Sequence, residues 1–360
     1  MKRRLALLMA FLMSVSLLSG CGKPPVEEST AEAVPIVGEV EQLRIVLPYG
    51  AGAKLVQSRS DGFADALQDA MAQQGWRVGE VTLSVAPTQA ASGKALDDDV
   101  AELVILPANQ FFTYDESAVM LMTATRAGIS VKSQDPKAWN GSVDAPHYTD
   151  EDSPYGRTLI CTTKSAKGRA IAESAKNGTL TWEELTQARW MYPQPETASD
   201  FIYPDLWLKA RFDKTMLDLP DVIPVDGYGA LFAEAGMGGA DVIVLSADMR
   251  IDYAAAWQMP KDKLDPTGKA GLGHEDSIFN EILAIGVTAP IYGDVLTLRA
   301  DEAPFTDAAF QQALIAAFKK LEQDKDAREI WHSCGYTGFT AAQSGGYDNI
   351  REVPILGAGD

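Results

Sequence analysis

Residues 192–208, YPQPETASDFIYPDLWL, set two hydroxyls, Thr197 and Ser199, and two carboxylates, Glu196 and Asp200, just ahead of an aromatic run of helical character. Side chains of these types at a helix entry either cap it, by accepting from a first-turn N–H, or help to hold a ligand there. Pro204 fits only a first turn and leaves the capping register open. Residues that would carry covalent or metal chemistry are not spaced for it. SGKA (92–95) lacks the upstream Gly and following Ser or Thr of a P-loop, and GMGGAD and GKAGLGH neither follow a strand nor open a helix. No G-x-S-x-G elbow occurs. His147, His274 and His332 are dispersed, with no metal spacing. His147 beside Asp150, Glu151 and Asp152 reads as a cation site or, more simply, as a solvated acidic loop. With no nucleophile–base pair, metal set or cofactor fingerprint, the chemistry expected is binding and not turnover.

The elements that position these residues follow from periodicity. Residues 42–52, QLRIVLPYGAG, read as a strand broken by Pro48, Gly50 and Gly52, and Phe63, Ala66, Leu67, Ala70 and Met71 are spaced as one helix face within 61–76. Strands are expected at 81–87, 101–107, 118–128, 157–165 and 240–246, and a strand pair within 279–301. A long polar loop spans 133–156. Thr181 and Glu184 make a capping box for a short helix, and Thr306 is placed to cap the amphipathic helix within 306–323. Strands alternating with helices predict an α/β fold, and a body of more than roughly 300 residues exceeds what one core usually serves. Two lobes are therefore expected, 42–156 with 289–360, and 157–288. Ligands of open α/β sheets sit beyond the carboxyl ends of strands, which selects the loops at 49–53, 109–112, 197–200 and 246–250 and puts a cleft between the lobes.

The amino terminus bounds the setting. Residues 1–20 are cationic, then apolar, then small, and LLSGC matches a lipoprotein signal in which Cys21 becomes the lipidated first residue. Residues 21–41 then form a Pro- and Glu-rich tether. The expected location is extracytoplasmic, on the membrane through the lipid anchor only, or on its periplasmic side where there are two membranes. Without the three leader cations the chain has 28 Lys and Arg against 50 Asp and Glu, which disfavours nucleic acid and anionic membrane as partners. Cys161 and Cys334 either pair or stay separate buried thiols.

LLSGC, RIVLPYG, AELVILPANQFFTY, LMTATRAG, TWEELTQARW, FIYPDLWL, DVIVLSADMRIDY, DSIFNEILAIGVTAPIYGD and GYTGF…YDNIR, in this order over nearly the whole chain, resemble the phosphate/phosphonate class of ABC-transporter substrate-binding lipoproteins. The resemblance implies a two-lobed type II periplasmic-binding-protein fold with a central ligand cleft. It also implies a small-molecule solute, delivery to an ABC permease and its ATPase, and neither cofactor nor enzymatic activity. In that family a Ser/Thr run ending in Gly precedes the aromatic helix, and its hydroxyls and helix N–H groups hold the ligand's oxyanion. Here the run has Ala198 at one position and Asp200 where Gly is usual; Tyr49, Gly50 and Phe111 are further departures. Tyr228 and Asp248 match the pattern of the second lobe, with core or surface placement the alternative for Tyr228. The expected ligand contacts are Tyr49, Asn109, Gln110, Thr197, Ser199, Asp200, Tyr228 and Asp248. Asp200 in the cleft would repel an anion, so it must turn away, take a proton, or be offset by a cation such as Arg250, whose other reading is solvent-facing. The alternative function is a solute sensor of the same fold, with a different ligand and no transport role.

Overall fold

The computed structural model describes residues 34–193, 198–342, 347 and 351. Residues 1–20, Cys21 and Thr197 therefore lie outside the described residues. Fourteen strands occur among those described: β1 Gly38–Leu47, β2 Trp76–Val85, β3 Leu103–Leu106, β4 Ala118–Ile129, β5 Tyr148–Ser153, β6 Tyr155–Gly156, β7 Thr158–Thr162, β8 Trp190–Tyr192, β9 Val222–Pro224, β10 Val242–Ser246, β11 Leu283–Val287, β12 Ile291–Tyr292, β13 Val295–Arg299 and β14 Gly338–Ala341. They form two main sheets, one in the order β14-β4-β13-β3-β1-β2 with β5 on β4, the other in the order β11-β7-β10-β8-β9. Each sheet carries its own cores, which makes two lobes.

In the first sheet β1 is parallel to β2 and β3, whereas β13 is antiparallel to β3 and β4. Alternation along β1 puts Leu43, Ile45 and Leu47 with Phe63, Leu67, Phe318 and Trp331 of the helices on one face, and Val46 with Leu96 and Val104 on the other. In the second sheet β7 and β10 are antiparallel and almost wholly buried. Cys161, Ile243 and Leu245 pack against Phe232, Trp257 and Phe279, and Ile160 and Val244 against Trp190 and Leu208. Covering by helices on both faces is why these strands read as unbroken apolar runs. Between the sheets, Tyr155 pairs with Tyr292 and Gly156 with Ile291 in a two-residue antiparallel ribbon, β6 with β12.

Several details differ from the sequence reading. The strand β1 starts at Gly38, inside the predicted tether, where the Trp76 ring packs so closely that a Cβ on Gly38 would lie 2.2 Å from it. The first helix spans Ala53–Ala72, beginning well before 61: Val56 is buried in the core, and Arg59 pairs with Asp326 at 3.3 Å and Glu329 at 2.7 Å on the helix Lys325–Ser333. Within the predicted 133–156 loop, β5 is an exposed polar strand held by its ladder to β4. Thr181 and Glu184 do form a reciprocal capping box. The 308–321 helix is capped by Asp307, which accepts from Ala309 N–H, and not by Thr306. Cys161 and Cys334 are separate thiols, and burial pushes both up to about 11.

Candidate functional site

A cleft of about 780 Å3 lies where the carboxyl ends of strands from both sheets meet, within the range typical of small-molecule sites. From the first sheet come Pro48 and Tyr49 after β1, Ala108 and Asn109 after β3, and Arg126 near the end of β4. From the second come Ser246 at the end of β10 and Asp248 just beyond it, and the ribbon residues Tyr155 and Tyr292 also line it.

The opening segment begins a helical run: a wide π-type turn over Ala198–Ile202 leads directly into the helix Tyr203–Phe212, with Pro204 in its first turn. No side chain caps the helix at Ile202. Ser199 lines the cleft, and its carbonyl accepts from the Thr158 hydroxyl at 2.7 Å, which pins the turn to β7. Asp200 points elsewhere. It is 3% exposed, is not a cleft-lining residue, and its Oδ1 accepts from the Tyr228 hydroxyl at 3.1 Å. That hydroxyl accepts in turn from Ser246 N–H at 3.3 Å. Burial, then the adjacent Asp200 charge, pushes the Tyr228 phenol well above the ordinary tyrosine range, so it stays protonated and donating. Ser246, Tyr228 and Asp200 thus tie the turn to the end of β10.

The expected contacts divide accordingly. Tyr49, 64% exposed, joins Asn109, Ser199 and Asp248 on the cleft wall; Gln110, Asp200 and Tyr228 are not among its lining residues, and Thr197 lies outside the described residues. Arg250 is neither counter-charge nor surface residue, which corrects both readings. It is fully buried, donating to the Ile282 carbonyl at 2.9 Å and the Trp139 carbonyl at 2.8 Å, with its guanidinium over Phe279. Two backbone acceptors and an aromatic face give it partners that water would otherwise supply.

The cations of the cleft are instead Arg126, Lys132 and Arg157, none singled out by motif. Arg157 donates to the carbonyls of Thr288 at 2.7 Å and Lys132 at 3.1 Å, and its guanidinium lies 5.7 Å from the Tyr155 ring. Burial lowers its pKa. Lys132 pairs with Glu151 at 3.2 Å. Asp248 opposes Arg126: burial, then Asp252, raises its carboxyl above the usual range, and Arg126 acts in the other direction. Across the same mouth, Tyr148 of β5 donates to Asp252 at 2.8 Å, joining the first sheet's edge strand to the helix Met249–Asp252. Of these only Arg157 adjoins the lobe boundary expected at 156, the one signal that could have found it; Arg126 and Lys132 carried none. The arrangement offers hydroxyls, the start of a helical run and cationic side chains around one volume, a set suited to binding an oxyanion.

A family profile described as "ABC transporter, phosphonate, periplasmic substrate-binding protein" matches residues 46–347. Comparison with curated proteins finds no match. Among solved structures, the chain is similar to Mh-p37 of Mycoplasma hyorhinis, at TM-score 0.58 and 13% identity over 84% of this chain and 95% of that one. It is also similar to XAC2383 of Xanthomonas citri bound to ATP, at TM-score 0.53 and 14% identity over 87% and 95%. PhnD1 of Prochlorococcus marinus in complex with methylphosphonate matches at TM-score 0.48 and 13% identity over 87% and 96%. At these identities the first two likenesses speak to the fold alone.

Proposed function

Because the chain belongs to the phosphonate-binding periplasmic substrate-binding protein family of ABC transporters, we propose that it is the solute-binding lipoprotein of an importer for phosphate- or phosphonate-like oxyanions. In this reading, residues 1–20 are a signal peptide, Cys21 carries the lipid, and residues 21–41 hold the body off the membrane. One lobe comprises 42–156 and 289–360, the other 157–288, and solute is passed to a permease driven by its ATPase. The protein catalyses no reaction. Among the described residues no helix is long and apolar enough to cross a membrane.

The observation carrying this reading is the meeting of Ser199, at the start of the 198–212 helical run, with Arg126 and Arg157 around one cleft built from both sheets. Tyr49, Asn109, Ser199 and Asp248 contact the ligand, and Thr197 joins them in this reading; Gln110, off the cleft wall, does not, and Asp200 and Tyr228 act by fixing the turn. Calorimetry of the soluble body with phosphate, methylphosphonate and sulfate tests this. Saturable binding of phosphate or methylphosphonate is expected, with thermal stability rising by RT ln(1 + [L]/Kd), about 2.7 kcal/mol at roughly 100-fold excess over Kd. Absence of binding by both phosphorus oxyanions would refute it.

A further inference from the structure

The cleft is more than an oxyanion pocket. A volume of about 780 Å3 is the space of a drug-sized ligand, several times what phosphate or methylphosphonate fills. Its wall is also divided by chemistry. Ser92, Asn109, Ser199 and Ser246 supply polar groups near the strand ends, whereas the ribbon side presents Tyr155, Ile291 and Tyr292. Tyr155 and Tyr292 sit opposite one another in the ribbon with ring centroids 5.8 Å apart at 60°, an edge-to-face pair. Tyr292 is held in turn by Tyr347 at 5.0 Å. The Arg157 guanidinium lies beside Tyr155, and among the described residues its buried Nε has no hydrogen-bond partner.

We propose that the ligand is an organophosphorus oxyanion carrying an aromatic substituent, with the oxyanion at the polar end and the ring against Tyr155 and Tyr292. This rests on the oxyanion-binding reading and names the class of solute within it. A methyl group leaves the two tyrosines unused. An aromatic ring lies against a second aromatic edge or face, while Arg157, beside Tyr155, stays with the oxyanion. Both tyrosines belong to the ribbon between the two sheets, so the ring would sit where the lobes join.

The test is calorimetry with phenylphosphonate and methylphosphonate on wild type and on Tyr155→Leu, Tyr292→Leu and Tyr155→Phe. Wild type is expected to bind phenylphosphonate at least about tenfold tighter. Each Leu variant should reduce that ratio by about 2- to 10-fold, the 0.5–1.5 kcal/mol of an aromatic pair at about 1.4 kcal/mol per factor of ten. Tyr155→Phe keeps the ring and should keep the ratio, and circular dichroism with a thermal melt serves as the control for folding in every variant. Equal or weaker binding of phenylphosphonate by wild type overturns the proposal and leaves the oxyanion reading intact. So does a ratio unchanged in both Leu variants. If neither phosphonate nor phosphate binds wild type, the oxyanion reading fails and takes this proposal with it.

Discussion

Replacing Asp200 by asparagine separates a carboxylate that faces the ligand from one that holds the scaffold. Two unit charges at about 4 Å and an effective dielectric of about 20 repel by about 4 kcal/mol, so removing a ligand-facing carboxylate would tighten anion binding by about a thousandfold. The structure places Asp200 elsewhere, 3% exposed and accepting from Tyr228 at 3.1 Å. The expected gain for Asp200→Asn is therefore below about tenfold, from the residual longer-range charge alone. Stability should respond instead. The amide oxygen can still accept from Tyr228, but a hydrogen bond to a charged group, worth about 1.5–3 kcal/mol, becomes a neutral one of about 0.5–1.5. A net loss of about 1–1.5 kcal/mol follows, or a melting temperature about 2 °C lower for a body of roughly 300 residues. Paired calorimetry and thermal melts with methylphosphonate read both effects. Tightening of several hundredfold would refute the assignment of Asp200 to the scaffold.

Three further outcomes are expected. His274 stacks on Trp257 at 3.9 Å, within reach of Lys164 at 2.9 Å and Glu281 at 3.1 Å, and burial, then Lys164, lowers its pKa from 6.5 against the opposing pull of Glu281. The unfolded imidazole then binds its proton first as pH falls, so stability is lost below about pH 6.5, and His274→Gln should flatten that slope in urea titrations between pH 7 and 5. An unchanged slope would exclude His274 as its source. Arg250→Lys replaces the planar fork that spans two carbonyls by one compact ammonium, and should lower stability by about 1–3 kcal/mol; an unaltered melting temperature would contradict this. Cys21→Ser should move the protein from the membrane to the soluble fraction, and continued retention would defeat the lipid anchor.

What could be read in the sequence was what burial writes into it. The runs LVIL of β3, TLICT of β7 and VIVLS of β10 are covered on both faces and confine their only polar residues, Thr158, Thr162 and Ser246, to the strand ends, so they stand out as strands. The exposed YTDEDS of β5 owes its conformation to the β4 ladder, and β6 and β12 are dipeptides, too short for any periodicity to register. Thr306 and Asp307 have the same capping chemistry, and backbone register alone decided between them. At the cleft, Tyr49, Asn109, Ser199 and Asp248 followed from the rule that ligands sit past strand ends. Arg126, Lys132 and Arg157 did not, because a surface cation and a cleft cation look alike until the sheets are brought together, and only Arg157 had the lobe boundary beside it as a hint. Arg250 was misjudged for the converse reason: its carbonyl partners, at Trp139 and Ile282, are more than thirty residues away in each direction.

The ribbon of β6 and β12 has a mechanical meaning. At this strap the chain runs between the sheets on two strands that are paired with each other, Tyr155 to Tyr292 and Gly156 to Ile291. Such a strap flexes readily across its plane, where bending costs small changes in several dihedral angles. Sliding one strand along the other is stiff, because it must break the pairing before any new register forms. At the strap itself bending is therefore easier than sliding, and a solute lying against it stiffens the easier of the two.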